Sequence, residues 1–301
     1  MPPPLILAFP AYRILADRLA AETGYRVSPV EIHFFPDEES LVCLPPELPE
    51  HIIFLCSLDH PNEKLVELGF AAATARELGA RHLTLVAPYL CYMRQDKAFQ
   101  AGQAISQRIV GNWIGDWFDT IITVDAHLHR IRSLNDVIGP AKTFNLSAAQ
   151  LWLNLLRRRK DQPILIGPDQ ESRQWVKKIA EATGLDYGIA HKQRLGDRTV
   201  QIELPEISVA DRTVILIDDV VSSGHTLAVI AGLLKKAGAA HIECLVTHAL
   251  FINSAEQLLK SAGVKQIISS DSIPHSSNGV YLAPLLAETL IRDIVGRLNC
   301  G

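Results

Sequence analysis

Two adjacent acids, Asp218 and Asp219, end a run of aliphatic residues and lead at once into Val220-Val221-Ser222-Ser223-Gly224-His225-Thr226-Leu227. Hydroxyls, a glycine and a row of backbone N–H groups at the mouth of a helix make a favourable seat for a phosphate. Carboxylates beside such a seat suit sugar hydroxyls, so the pattern fits a sugar phosphate better than a bare phosphate. Neighbouring residues of an extended chain point to opposite sides, and Asp218 and Asp219 are therefore expected to take separate tasks instead of forming a tight pair. The spacing departs from GxxxxGK[ST], which argues against a nucleoside triphosphate at this loop. Taken alone, the stretch is equally an acidic strand end followed by an ordinary serine cap.

A second group of charges lies in His191-Lys192-Gln193-Arg194-Leu195-Gly196-Asp197. Residues two apart share a face of an extended chain, so Lys192 and Arg194 could together clamp a phosphoryl group in transfer. Gly196-Asp197 suggests a hairpin turn and a mobile flap that could exclude water. An exposed charged hairpin with no catalytic task would read the same way.

These residues need elements to position them. Short aliphatic runs at 51–57, 82–90, 120–125, 163–169, 213–219 and 241–250 alternate with helical patterns. In residues 62–80, for example, Leu65, Leu68, Ala72, Ala75 and Leu78 recur at helical spacing. After Asp219, Leu227, Ile230, Leu233, Leu234 and Ala237 give the next helix an apolar face. Strands apolar on both faces that alternate with helices predict an α/β fold with largely parallel sheets, whose ligands bind beyond the strand C-termini.

A weak internal repeat organises the chain. Residues 77–90 followed by 119–129 resemble residues 236–250 followed by 265–275, with Gly79 aligned to Gly238 and Asp125 to Asp271. The two offsets, 159 and 146 residues, leave 13 more residues in the first half, where Cys91–Gln103 lies. Two domains of similar fold are expected, spanning residues 1–143 and 144–301, the first having gained a polar loop.

Composition limits the class of protein. The chain has 301 residues, 48% hydrophobic and 21% charged, enough for two compact cores. A net charge of −4 gives no basic excess to recommend nucleic acid. Five cysteines without CxxC spacing suggest neither a zinc site nor a disulfide framework, and the start of the chain lacks the pattern of a secretory signal. No apolar run reaches the length of a bilayer span. A cytoplasmic protein without a membrane partner is expected.

The ordered set of motifs resembles the ribose-phosphate pyrophosphokinase family over roughly residues 30–295. Phe34–Ser40 (FFPDEES) resembles its FxDGE segment, residues 87–99 its PYxxYxRQD segment, and residues 123–129 its TVDLH segment. Gly167-Pro168-Asp169, His191–Asp197 and Asp218–Thr226 follow its second-half motifs in order. The resemblance implies two tandem type I phosphoribosyltransferase-like domains. It also implies synthesis of phosphoribosyl pyrophosphate and AMP from ATP and ribose 5-phosphate with Mg²⁺, in a homo-oligomer, a dimer or hexamer. ATP would meet Phe35, Asp37, Glu38 and Glu39, with Arg94, Gln95 and Asp96 from the extra loop and His127. An aromatic beside acceptors suits adenine, and an arginine suits phosphate oxygens. His127 and Asp169 match the magnesium-associated positions, although Mg²⁺ prefers oxygen donors. Lys192 and Arg194 would be the catalytic cations. Arg194, Asp218, Asp219, Ser222, Ser223, Gly224, His225 and Thr226 would hold ribose 5-phosphate.

The chain also departs from that pattern. Glu38 stands where FxDGE has glycine, Cys91 replaces the usual glycine before Tyr92, and Gln170-Glu171-Ser172 follows the GPD. Ser222 replaces the acid of the commoner DTGGT loop, as in archaeal-type members, and His225 fills a glycine position. Two other classes compete on sequence: a phosphoribosyltransferase that consumes the activated sugar, favoured by the 218–226 loop alone, and a non-catalytic regulatory homologue, which would be expected to lose the Lys192/Arg194 loop.

Overall fold

The computed structural model describes residues 2–298 except His129, Arg132 and residues 195–199, and of residues 192–194, 200, 201 and 298 it describes the backbone only. The chain divides into two units, residues 1–146 with 282–301, and residues 147–281.

The first unit is built on a parallel sheet. Its strands are β1 (Leu5–Ala8), β2 (Arg26–Pro29), β5 (His51–Leu55), β6 (His82–Val86), β7 (Thr120–Val124) and β8 (Lys142–Leu146), in the order β2-β1-β5-β6-β7-β8. Between β2 and β5 the chain makes an antiparallel hairpin, β3 (Glu31–Phe34) and β4 (Ser40–Cys43). Helices α1 (Arg13–Thr23), α2 (Pro61–Glu77), α3 (Ser106–Trp117) and the short α4 (Asn135–Ile138) connect the strands. Every residue from Ile52 to Leu55 and from Leu83 to Val86 is buried, as strands covered on both faces require. On α2 the predicted stripe of Leu65, Leu68, Ala72 and Ala75 is buried, whereas Leu78 lies beyond the helix end and is exposed.

The second unit repeats this plan. Strands β9 (Ile164–Gly167), β10 (Tyr187–Ile189), β13 (Thr213–Val221), β14 (His241–Ala249), β15 (Gln266–Ser270) and β16 (Asn278–Val280) run in the order β10-β9-β13-β14-β15-β16, with an antiparallel hairpin, β11 (His191–Arg194) and β12 (Val200–Glu203), in the corresponding place. Helices α5 (Ala149–Leu156), α6 (Arg173–Thr183), α7 (His225–Lys236) and α8 (Ala255–Ser261) complete it. Leu227, Ile230 and Leu234 of α7 enter a core with Ile164, Leu216 and Val246, each contributing about 1.5–3 kcal/mol by leaving water.

The repeat seen in sequence is thus a repeat of topology. Gly79 and Gly238 both terminate the helix before the third sheet-crossing, with φ of 95° and 87°. In each case the next N–H reaches back five residues, Ala80 to Ala75 O at 3.0 Å and Ala239 to Leu234 O at 3.1 Å, the helix end that favours glycine.

One boundary needs correction. The second domain was expected to run to residue 301, yet the last helix, α9 (Ala283–Leu298), belongs to the first unit and packs on α1. Its sequence is amphipathic like any surface helix, and nothing in it says which sheet it covers. Charges on α9 give the reason. Asp293, with 1% of its side chain exposed, pairs with Lys142 at 2.7 Å and with Arg297 at 2.7 Å. Arg297 in turn reaches His51 Nε2 at 3.5 Å. His51 and His82 meet edge to face at 4.8 Å, and each hydrogen-bonds a threonine of the next strand, Thr84 and Thr120.

Candidate functional site

In a sheet wound both ways, ligands bind where the strand order reverses. In the second unit that point lies between β9 and β13, and the structure brings Asp169, Asp218 and Asp219 to it. Asp169 follows β9 and closes the turn that leads into α6: its Oδ1 accepts the N–H groups of Glu171 and Ser172, each at 3.0 Å. Asp218 and Asp219 lie in the C-terminal half of β13, Asp219 only 8% exposed, and the strand stays buried beyond them through Val220 and Val221.

Here the expected separation of the two acids fails. Asp218 Oδ1 accepts the N–H of Asp219 at 3.0 Å, and Asp219 Oδ1 accepts that of Val220 at 2.8 Å. Both short side chains fold back onto the backbone, and the Asp219 carboxyl comes within hydrogen-bonding reach of that of Asp218 despite alternate directions at Cα. Burial, then the charge of Asp219, then that of Asp169 push the Asp218 carboxyl well above the usual carboxylate range.

The loop beyond them has the geometry of a phosphate seat. Gly224 is the N-cap of α7 with φ of 72°, and no side chain caps the helix. Ser222, Ser223 and Thr226 are partly exposed around the first turn, and His225, the first helical residue, is exposed. The N–H groups of this turn are thus presented at the positive end of a helix of 12 residues.

Across the same unit, β11 pairs antiparallel with β12, Lys192 opposite Ile202 and Arg194 opposite Val200. This places positions 192 and 194 two apart on one strand. Their side chains and the Gly196-Asp197 turn lie outside the described residues.

The equivalent point of the first unit, between β1 and β5, holds a cluster that the motifs did not reveal. Lys64 Nζ donates to Asp59 Oδ1 at 2.8 Å, to Tyr12 Oη at 2.7 Å and to the Ser57 carbonyl at 3.1 Å. Tyr12, 1% exposed, also bonds Asp59 and the Ser57 carbonyl. Burial and the Asp59 charge push the Tyr12 hydroxyl far up, so it stays protonated. An internal ion pair therefore sits where the second unit presents its phosphate loop.

The remaining candidates all lie in the first unit. The turn between β3 and β4 carries Phe35, 43% exposed, with Asp37, Glu38 and Glu39. Phe35 N–H donates to Glu39 O at 2.8 Å and Glu38 N–H to Phe35 O at 3.0 Å. Glu38 sits at φ of 71°, a left-handed conformation that explains why glycine suits this position. A groove of about 610 Å³ separates this turn from α2, lined by Phe34, Glu38, Glu39, Asn62 and Phe70 among others. In the extra loop, Arg94 and Gln95 are exposed, while Asp96 has 1% of its side chain exposed and pairs with Arg130 at 2.6 Å. Its other oxygen is buried and has no hydrogen-bond partner among the described residues. Among the described residues no hydrogen bond or ion pair joins the Phe35–Glu39 turn to Arg94–Asp96. His127 is partly buried just past β7 and the left-handed Asp125, whose N–H donates to Leu146 O at 2.7 Å.

Comparison with known proteins assigns both units to one family. Residues 5–116 match the N-terminal domain of ribose phosphate pyrophosphokinase, and residues 141–284 match the phosphoribosyl transferase domain. The ribose-phosphate pyrophosphokinase of Methanopyrus kandleri is 35% identical over 279 residues, 92% of this chain and 94% of its own. The chain belongs to the ribose-phosphate pyrophosphokinase family. The family member of Methanosarcina acetivorans is 32% identical over 95% of this chain and 99% of its own. Like these two, the relatives bearing the family name are mostly archaeal. In fold, the chain is similar to phosphoribosylpyrophosphate synthetase from Mycobacterium smegmatis, with a TM-score of 0.83 and 22% identity over 98% of this chain and all of that one. The family catalyses phosphoryl-group transfer, for which Mg²⁺ is typical. Among the described residues, no helix is long and apolar enough to cross a membrane.

Proposed function

We propose that this chain is a ribose-phosphate diphosphokinase. The anomeric hydroxyl of ribose 5-phosphate attacks the β-phosphorus of ATP, the bond from that phosphorus to the α-phosphate oxygen breaks, AMP leaves and the hydroxyl proton is released. The observation that carries this reading is the 35% identity to a ribose-phosphate pyrophosphokinase across 92% of the chain. The match of residues 5–116 to that family's own N-terminal domain favours it over a phosphoribosyltransferase.

The second unit takes ribose 5-phosphate. Ser222, Ser223, Gly224, His225 and Thr226 seat the 5-phosphate on the N–H groups that open α7, and Asp218 and Asp219 receive ribose hydroxyls. The occupied Lys64–Asp59–Tyr12 cluster supports giving this task to the second unit alone. The first unit takes ATP, with adenine against Phe35 and acceptors from Asp37, Glu38 and Glu39. Arg94, Gln95 and His127 meet its phosphates, and Asp96 holds Arg130 in place at their side. Lys192, with Arg194, supplies the positive charge that offsets what builds on the transferring oxygens.

The donors at the β9/β13 point fit Mg²⁺. They are oxygens, and burial together with the charges of Asp219 and Asp169 raises the Asp218 carboxyl, a gathering of acids that a divalent cation would neutralise. No three His, Cys, Asp or Glu side chains close into a metal cage among the described residues, which is compatible with an ion carried largely by water and phosphate. Asp169 and the Asp218/Asp219 pair would hold it, and when bound it supplies charge neutralisation at the phosphate oxygens.

We assign a homo-oligomer, supported by the exposed Phe34, Phe35, Phe70 and Trp113 of the first unit, and a cytoplasmic location, supported by free Cys43, Cys56, Cys91 and Cys244. The reaction is tested by incubating the protein with ATP, ribose 5-phosphate and Mg²⁺ across a range of phosphate concentrations. AMP formation that depends on ribose 5-phosphate is expected, and its absence under every condition would overturn the reading.

A further inference from the structure

The segment that follows β14 supports the phosphate loop from below. Phe251 N–H donates to Val221 O and Ile252 N–H to Ser222 O, both at 3.1 Å, so the β13/β14 ladder continues into the loop. Ala255 closes on Gly224, where an added Cβ would lie 3.3 Å from the Ala255 Cβ. This support is itself strained: Phe251, Asn253 and Ser254 have φ of 38°, 50° and 63°. Side-chain-bearing residues keep such conformations only where their surroundings over-determine them.

His275 packs against this segment. Its ring packs on Phe251 with centroids 4.8 Å apart. Its Nδ1 accepts the N–H of Ser277 at 3.1 Å and meets Ser277 Oγ at 2.8 Å. An Nδ1 that accepts leaves the proton on Nε2, which faces Glu256 Oε2 at 3.6 Å. Glu256 directly follows Ala255, so one imidazole meets Phe251 at one end of the strained segment and the residue just beyond its other end. The ring also stands on a fixed base. The His275 backbone N–H donates to Asn278 Oδ1 at 2.9 Å, and the Asn278 side-chain amide donates to Ser270 O at 2.7 Å and to the buried Ser269 Oγ at 2.9 Å.

We propose that His275, acting through Phe251 and Glu256, is a positioning residue for the sugar-phosphate half of the site: it sets the 251–255 segment, which sets the Ser222 carbonyl and the turn at Gly224. The inference rests on the reading that this loop binds ribose 5-phosphate. Its signature is selectivity, because a strut beneath one substrate's loop should leave ATP binding alone.

The test is His275→Ala, with His275→Phe restoring a ring against Phe251. His275→Ala should weaken ribose 5-phosphate binding about tenfold in calorimetry without ATP, equivalent to about 1.4 kcal/mol. It should raise the KM for ribose 5-phosphate similarly while the KM for ATP stays within about twofold, and His275→Phe should recover the part of the loss that the ring contact with Phe251 carries. Unchanged ribose 5-phosphate affinity, or a parallel rise in both KM values, would overturn the proposal. Should His275→Ala fail to fold, Phe251→Leu is read by the same ratio, and an unchanged ratio counts against it equally. A wild-type protein that binds ribose 5-phosphate but makes no AMP would sink the synthetase reading and leave the calorimetric test in force. Failure of the wild type to bind ribose 5-phosphate would sink both.

Discussion

Acid should release the C-terminal helix from the first unit. Burial, then the nearby Arg297 charge, press the His51 imidazole down to about 3 and the His82 imidazole down to about 4. Both fall below the 6.5 of an unfolded histidine. The stability they carry is therefore complete above about pH 6.5 and is lost as the pH falls toward the folded values, because the unfolded chain takes up protons that the folded one refuses. At pH 5 each histidine costs about 2 kcal/mol relative to pH 8, from roughly 1.5 pH units at 1.36 kcal/mol each. Discounted for the partial exposure of His82, the pair costs about 2–3 kcal/mol. Asp119 does not confuse this window. Burial raises its carboxyl, but the Leu83 N–H and the Arg76 guanidinium outweigh that and hold it below the usual range, so its contribution disappears only below about pH 4. The assay is hydrogen exchange across residues 283–298, beside urea unfolding, at steps from pH 8 to pH 5. Exchange should speed up as pH falls, and the double variant His51→Gln, His82→Gln should flatten that dependence. A wild type whose stability holds or rises from pH 7 to pH 5, or a double variant with the same slope, would refute the argument.

Three further outcomes follow from single positions. Glu38→Gly should stabilise the protein by up to about 1 kcal/mol, since relief of the left-handed conformation, about 1–2 kcal/mol, exceeds the entropy cost of glycine, about 0.5–1 kcal/mol; thermal unfolding checks it. Gly224→Ala, at φ of 72° and against Ala255, should cost about 1–2 kcal/mol and raise the KM for ribose 5-phosphate, measured by denaturation and steady-state kinetics. Lys192→Ala should lose most turnover while ribose 5-phosphate binding persists, and unchanged turnover would remove Lys192 from its catalytic role.

The core strands were readable because burial on both faces leaves little besides Ile, Leu and Val, as at Thr213–Ile217 and His51–Leu55. The repeat was readable because left-handed helix ends leave a glycine at Gly79 and Gly238. The home of α9 was not readable, since docking depends on Asp293 and Arg297 meeting Lys142 and His51, residues far apart in the chain. The carboxyl contact of Asp218 and Asp219 was hidden for a different reason: side-chain rotation undoes the alternation that strand geometry sets at Cα. The Lys64 cluster and the His275 strut consist of common residues with no motif, joined only by tertiary contact. The glycine expected at position 38 shows the reverse case, where a departure noticed in sequence acquired a physical meaning from its φ of 71°.

The most direct test of the central claim follows phosphorus itself. ³¹P NMR of the protein with ATP, ribose 5-phosphate and Mg²⁺ should show ATP lost in step with a new sugar-linked diphosphate and an equal amount of AMP, since the β and γ phosphorus atoms move together. Formation of ADP with a singly phosphorylated anomeric position, or hydrolysis of ATP without any new sugar signal, would contradict the account.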